Sequence, residues 1–227
     1  MKRFYKEARA KGGMVLLDGR QLKTPRGAAL AVPSALAEAI AAEWRAQGDE
    51  IVPAAMPLTR LANTAIDGIG PRRDEAIAEI AGFARHDHLC YRTDKPAELV
   101  RRQNDAWDSL LDWAAERYGA PLIVVAGVTS VAQPEASLEA LRRAVEALDD
   151  FALAGLHVAA SITGSLVLGL AVADGRLSAA DAFALSQVDE RFQAEKWGLD
   201  SEAEARAEHL AAELDAAARF MKLARGT

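Results

Sequence analysis

From Phe151 to Ala173 the chain carries no Asp, Glu, Lys or Arg. A stretch of that length either crosses a bilayer as one helix or fills the middle of a helical protein. Three features favour burial. The run contains His157, Ser161, Thr163 and Ser165 together with Gly155, Gly164 and Gly169. Its flanks, Asp149-Asp150 and Asp174-Gly175-Arg176, lack the Lys/Arg excess that orients membrane helices. No Trp or Tyr anchors either end. The segment is therefore expected as a central helix or helix pair of a soluble bundle, apolar all round because neighbours surround it. A membrane-associated protein built on this run is the alternative.

Outside the run the pattern changes character along the chain. Met14-Val15-Leu16-Leu17 and Gln21-Leu22-Lys23-Thr24 flank Asp18-Gly19, a dipeptide suited to the positive φ angles of a two-residue hairpin turn. Pro25 and Gly27 make a second turn, and Ala28 to Val32 reads as a third strand. Ser34 offers an N-cap hydroxyl to a helix with Leu36, Ala37, Ile40 and Trp44 on one face, stopped by Gly48. Pro53 and Pro57 keep the next segment extended.

From about Leu58 the pattern is mostly helical. Pro71 opens a helix with Ile77, Ile80 and Phe83. Pro96 opens another with Leu99, Gln103, Trp107, Leu110 and Ala114, closed by Gly119. Leu122 to Val125 reads as a short strand. Pro134 precedes a helix carrying Leu138, Leu141, Val145 and Leu148. The clearest period is the last: Ala203, Ala207, Leu210, Leu214, Ala217, Met221 and Ala224 alternate steps of four and three. Alanine, the best helix former, is the commonest residue. The fold class is thus α+β and mainly helical, with a small N-terminal domain of strands, a hairpin and a helix over 1–70 and a helical bundle over 71–227.

Charge and motifs exclude more than they assign. With 27 Lys+Arg against 33 Asp+Glu the net charge is −6, and the pI is near 5.3, so no phosphate-attracting field is expected and nucleic acid is not a partner. The pairs Arg72-Arg73, Arg101-Arg102 and Arg142-Arg143 lie among acids in predicted helices. The single cysteine, Cys90, leaves no internal disulfide and fits a reducing compartment. The opening residues read as neither a secretory signal nor a transit segment, so a cytoplasmic protein is expected. There is no G-x-x-x-x-G-K-[ST] phosphate loop, and Gly68-Ile69-Gly70-Pro71 lacks the rest of a dinucleotide fingerprint.

Two clusters carry titratable chemistry. His86-Asp87-His88-Leu89-Cys90 groups metal-ligand types without a second cluster, and Cys90 beside His86 or His88 has the makings of a nucleophile–base pair. A small enzyme or metal-binding protein using His86, His88 and Cys90 is therefore the alternative function; helix-end polar residues around a small buried thiol are the ordinary reading. Asp189-Glu190 points its carboxylates about 100° apart on a helix, which rules out a shared-proton dyad. Phe183, Ala184, Val188 and Phe192 mark the buried stripe there. Asp189 falls beside it, Glu190 further off, and Trp197 lies two turns on.

An ordered series of motifs runs through nearly the whole chain. It starts with Arg3-Phe4-Tyr5-Lys6, Leu17-Asp18-Gly19-Arg20, Leu22-Lys23-Thr24-Pro25, Val32-Pro33-Ser34 and Glu43-Trp44. The long stretch from Met56-Pro57-Leu58-Thr59-Arg60-Leu61-Ala62-Asn63-Thr64 to Asp67 follows, then Leu89-Cys90-Tyr91-Arg92, Arg102-Gln103, Trp107-Asp108 and Leu111-Asp112-Trp113. Thr163-Gly164-Ser165-Leu166, Val188-Asp189-Glu190, Phe192-Gln193 and Trp197-Gly198 complete it. The series resembles the assembly chaperones specific for the alpha subunit of the F-type ATP synthase head, found in mitochondria and alphaproteobacteria.

That resemblance implies a small N-terminal α+β domain followed by an orthogonal helical bundle, and a function other than catalysis. It implies a protein without cofactor or metal, a monomer in the bacterial cytoplasm (the mitochondrial matrix for eukaryotic relatives). Its partner would be the unassembled alpha subunit, covered until the beta subunit displaces the chaperone without nucleotide hydrolysis. The acidic positions it singles out match Asp150 and Glu190; Asp189, Gln193 and Trp197 stand beside the latter. Trp44, Arg60 and Asn63 carry strong motif identity and either stitch the two domains together or face the client.

Overall fold

Strand β1 (Ala8–Lys11) pairs antiparallel with β2 (Met14–Leu17), and β2 with the two-residue β3 (Arg20–Gln21), in a computed structural model that describes residues 1–127, 131–198 and 200–226. Register places Ala8 opposite Leu17 and Leu17 opposite Arg20. The Asp18-Gly19 turn has positive φ at both residues, 47° and 80°, as the dipeptide predicts. The expected third strand at Ala28–Val32 differs: it meets the sheet only through isolated bridges, Lys23 to Ala29 and Met14 to Ala31. It is nonetheless pressed close, because a Cβ on Gly13 (φ 78°) would lie 2.6 Å from the Val32 carbonyl oxygen.

Helix α1 (Ser34–Arg45) covers this sheet with Leu36, Ala37, Ile40, Ala41 and Trp44. Ser34 is its first helical residue rather than its cap; Pro33 occupies the N-cap and no side chain caps the helix. Pro53–Ala55 forms a single 3-10 turn inside the expected extended segment. Helix α2 (Pro57–Asn63) then runs into π-helical turns over Thr64–Ile69, and α2 packs against α1 on one side and the C-terminal helices on the other.

The remainder is helical. Helix α3 (Arg73–Gly82) follows a 3-10 turn at Gly70–Arg72. Tyr91–Arg92 forms β4 and precedes α4 (Ala97–Tyr118), which starts after Pro96 and ends at left-handed Gly119 as predicted. The expected strand at Leu122–Val125 is shifted, with β5 at Val125–Ala126 pairing parallel with β4. Helix α5 (Glu135–Glu146) leads to the uncharged run, which forms two helices, α6 (Asp150–Thr163) and α7 (Leu166–Asp174). Gly164 (φ 65°) breaks them apart, and the Ser165 hydroxyl accepts from the Leu168 amide at 3.0 Å to cap α7. Among the described residues no helix is long and apolar enough to cross a membrane.

The chain finishes with α8 (Ala179–Ser186), α9 (Val188–Trp197) and α10 (Ser201–Ala224). Helix α10 crosses α6 where Gly155 removes a side chain: a Cβ there would meet Met221 Cγ at 2.3 Å and the Ala217 carbonyl oxygen at 3.1 Å. Gly169 serves the α6–α7 contact likewise, with Leu156 Cδ1 2.9 Å from its absent Cβ. The small residues inside the apolar run thus set how closely three core helices approach. Only the C-terminal half of the predicted α10 stripe is buried: Leu214, Ala217, Met221 and Ala224 are covered, whereas Ala203 is exposed. The architecture is α+β and mainly helical, a small sheet with one covering helix joined to a helical bundle.

Candidate functional site

Helix α9 presents two different faces. Its inner face carries Asp189, Phe192, Glu195 and Lys196, all tied to α4, and Phe192 is its one buried residue. Its outer face carries Glu190, Gln193 and Trp197 at i, i+3 and i+7, all exposed, with Trp197 at 79%. Among the described residues Glu190 makes no ion pair. Adjacent sequence neighbours are therefore separated by the helix: Asp189 points in and Glu190 points out.

Buried Gln103 on α4 donates Nε2 to Asp189 Oδ1 at 2.7 Å, while its own carbonyl accepts the Thr93 amide at 2.9 Å. Trp107, fully buried, donates Nε1 to the Leu185 carbonyl at 2.8 Å, fixing the end of α8. At the solvent edge Arg102 reaches Glu195 and Glu98, both at 2.8 Å, and Lys196 reaches Glu98 at 3.4 Å. The two cations lie over the Phe192 ring at 5.2 and 5.3 Å from its centroid. Hydrogen bonding from Lys196 and Arg102 holds the Glu98 carboxyl below its usual range.

The other candidates lie elsewhere. Asp150 is paired with Arg73, whose guanidinium also donates to the Glu146 and Leu148 carbonyls at 3.1 and 2.6 Å. That arginine closes the C-terminus of α5 onto the N-terminus of α6, and Asp149 caps α6 by accepting the Ala152 amide at 2.7 Å. Trp44 is 7% exposed, packed edge-on against Tyr5 and Phe4 at 5.4 and 6.5 Å, and its carbonyl accepts the Tyr5 hydroxyl at 2.6 Å. Arg60 pairs with Glu213 of α10 at 3.2 Å, and the Asn63 side-chain oxygen is buried without a hydrogen-bond donor. Arg60 thus bridges α2 to α10, the aromatic contacts of Trp44 stay within the N-terminal module, and no hydrogen bond or ion pair joins Trp44, Arg60 or Asn63 to α9 among the described residues.

One residue at the joint between sheet and bundle was not singled out by sequence reasoning. Glu43 accepts from the Leu58 and Thr59 amides at 2.7 and 2.9 Å and from the Thr59 hydroxyl at 2.7 Å. A carboxylate from α1 therefore caps α2, which explains why Glu43-Trp44 and Pro57-Leu58-Thr59 occur in one motif series. Arg102 and Gln103 were legible as a motif pair, but their role as α9 contacts was not, because the partners lie far along the chain.

Within the His86–Cys90 segment Asp87, Leu89 and Cys90 are buried, His88 is half-buried and His86 is exposed. Cys90 is fully buried, and burial followed by the charge of Asp87 pushes its thiol up to about 12. A thiol so protonated is no nucleophile near neutral pH. Asp87 is itself buried and accepts the Leu89 and Val167 amides at 3.1 and 3.0 Å; burial raises its carboxyl against those hydrogen bonds. His86 contacts the Tyr91 hydroxyl, and His88 lies edge-on to Trp107. Among the described residues no group of three or more ligand-type side chains could hold a metal.

Comparison with known proteins agrees along the chain. The family model described as ATP12 chaperone protein matches residues 2–115. The mitochondrial protein atp12 of Schizosaccharomyces pombe is 27% identical over 214 residues, spanning 87% of this chain and 74% of that protein. The crystal structure of Atp12 from Paracoccus denitrificans superposes with a TM-score of 0.93 at 46% identity, covering 99% of this chain and 98% of that one. A protein of Agrobacterium tumefaciens superposes at 0.92 with 39% identity, covering 97% and 85%.

Proposed function

The chain belongs to the ATP12 chaperone family, whose members serve ATP synthase assembly, and from that premise we propose that its client is the unassembled alpha subunit of the F-type ATP synthase head. It is a chaperone and not an enzyme. An orphan subunit exposes apolar surface meant for its neighbours, and a patch of that kind drives aggregation. A protein that covers the patch lowers the concentration of the aggregating form by mass action. Release follows when the beta subunit competes for the same surface, with no nucleotide hydrolysed. The lack of a G-x-x-x-x-G-K-[ST] loop in the sequence fits that scheme. The working form is a monomer in the bacterial cytoplasm, divided at residue 70 into a sheet module and a bundle.

The observation that carries this reading is the outer stripe of α9. Trp197, among the most exposed of the large apolar side chains, stands in line with the unpaired carboxylate of Glu190 and the amide of Gln193. An aromatic anchor beside a charge is what a selective protein contact requires: the ring supplies affinity, and the carboxylate selects an arginine or lysine on the client. Asp150 and Asp189, both engaged within the chain, position helices rather than meet the client. Trp44, Arg60 and Asn63 take the stitching role.

The test is charge reversal, Glu190→Lys, read by the fraction of alpha subunit kept in solution when it is produced without beta. Capture should fall at least about tenfold, near 1.4 kcal/mol, with an unchanged far-ultraviolet dichroism spectrum. Unaltered capture removes the α9 stripe from the client contact.

A further inference from the structure

Helix α9 is held by very little apolar surface. Phe192 is its only buried side chain, half-buried Val188 packs against the core at its N-terminal end, and the remaining docking onto α4 is polar: Gln103 to Asp189, Arg102 to Glu195, and Lys196 to Glu98. Two of these three links are exposed ion pairs, whose side chains are between a third and just over half accessible. Exposed pairs contribute little singly and are screened by salt. Both ends of the helix leave helical geometry. Gln187 leaves helical geometry at φ −108°, ψ 22°, and Gly198 stands at φ 89°, ψ 163°, a conformation that only glycine adopts readily. The helix that carries Glu190 and Trp197 is thus a short rod between two non-helical joints, clipped to the bundle along one edge.

From this arrangement we infer that Arg102 is a positioning residue for client recognition: it touches no client, and it sets the azimuth of α9 so that Glu190, Gln193 and Trp197 face outward together. Arg102 is the centre of the clip. It ties Glu195 of α9 to Glu98 of its own helix, and Glu98 in turn draws in Lys196. Its guanidinium also covers one side of the Phe192 ring. Losing it removes two ion pairs and a cation–π contact at once and leaves Glu195 without its cation. The buried Gln103–Asp189 hydrogen bond remains as a pivot. A rotation about that pivot moves Trp197, two turns from Asp189, furthest of all.

The inference rests on the reading that the α9 stripe meets the client, and the experiment separates the two. Arg102→Ala and Arg102→Lys are compared with Glu190→Gln in the full chain, using two readouts: amide hydrogen exchange across 188–197 and capture of purified alpha subunit. Arg102→Ala should raise α9 exchange about three- to tenfold while α6 and α10 are unchanged, and weaken capture by a similar factor. Arg102→Lys, which keeps a cation over Phe192, should recover most of both. Wild-type exchange in α9 should rise with added salt, and that of Arg102→Ala should rise less, because only the Lys196–Glu98 pair is left to screen. If α9 exchange in Arg102→Ala matches wild type, or rises with capture intact while Glu190→Gln weakens capture, Arg102 does not position the stripe. If Glu190→Gln leaves capture intact, it is the client reading of the stripe that fails.

Discussion

Replacing Glu43 by alanine tests whether a carboxylate on α1 organises the joint between sheet and bundle. The side chain accepts three hydrogen bonds at the first turn of α2, from the Leu58 and Thr59 amides and the Thr59 hydroxyl. Leu58 is 1% and Thr59 5% exposed, so water does not readily replace the lost acceptor. Pro57, the first helical residue, has no amide to lose, which leaves two orphaned backbone donors. Each buried unpaired donor costs about 1–3 kcal/mol, and part of the range is recovered by local relaxation, so about 3 kcal/mol is expected for the pair. For a chain of this size, about 1 kcal/mol moves Tm by roughly 2–4 °C, which gives a fall of roughly 6–12 °C in a dichroism melt. Glu43→Gln keeps an acceptor oxygen and should lose about a third as much. Glu38→Ala, on the same helix but exposed and, among the described residues, bonded only to Arg45, should melt within about 2 °C of wild type. A Glu43→Ala melt inside that same narrow band refutes the capping argument, as does Glu43→Gln falling as far as alanine.

Gly155→Val should lower the urea midpoint by the equivalent of about 2–3 kcal/mol, because the Ala217 carbonyl behind the new Cβ is backbone and cannot turn aside; Gly82→Ala, with nothing within 4 Å, should be neutral or stabilising. Cys90 should resist a thiol reagent in native protein and react fully in denaturant, and stoichiometric native labelling would contradict its burial and its pKa near 12. For Glu98 the folded carboxyl lies below the usual 4.5, so its contribution is complete above that value and is lost as pH falls through the lower folded one. Exchange in α9 should therefore rise selectively on the acid side of about pH 4.5 in wild type, with the step absent in Glu98→Gln.

Legibility in the sequence followed the range of the interactions. Helices bounded by local signals read correctly: Pro96 and Gly119 bracket α4, and the Asp18-Gly19 dipeptide makes its turn. The uncharged run resolved into the expected helix pair because Gly164-Ser165 interrupts it with a left-handed residue and a cap. Where neighbours decide the outcome, pattern reading fell short. Ala28–Val32 has strand composition, yet Pro33 and the turn at Gly27 leave it only single bridges to the sheet. The α10 stripe continues through Ala203, but among the described residues no side chain of its first turns is buried, so period alone overstated the buried length. Site residues divided the same way. Asp189 and Glu190 could be told apart by helical angle, whereas Asp150 looked available until Arg73, distant in sequence, was seen to occupy it.

A chaperone that covers apolar surface on a client is expected to offer a broad apolar face of its own. The bundle does not. The large exposed apolar side chains of the whole protein, among the described residues, are Met1, Phe4, Val52, Ile123, Val124 and Trp197, and only the last stands on a helix. A wide greasy surface would hold a client tightly but would also bind wrong partners and other copies of the chaperone. On the proposed reading, one aromatic anchor beside one carboxylate binds through a small centre and a directional charge, so dissociation is fast and a competitor with a larger matching surface wins. The weak polar clip beneath α9 extends that logic. If α9 were fastened by a continuous apolar seam, each rotation away from its docked angle would cost core packing; on the proposed client reading, with Phe192 as the single buried anchor, the helix adjusts to the client and reseats after release. On the proposed reading of the α9 stripe, reversibility is a property of how α9 is attached, with no energy-consuming step.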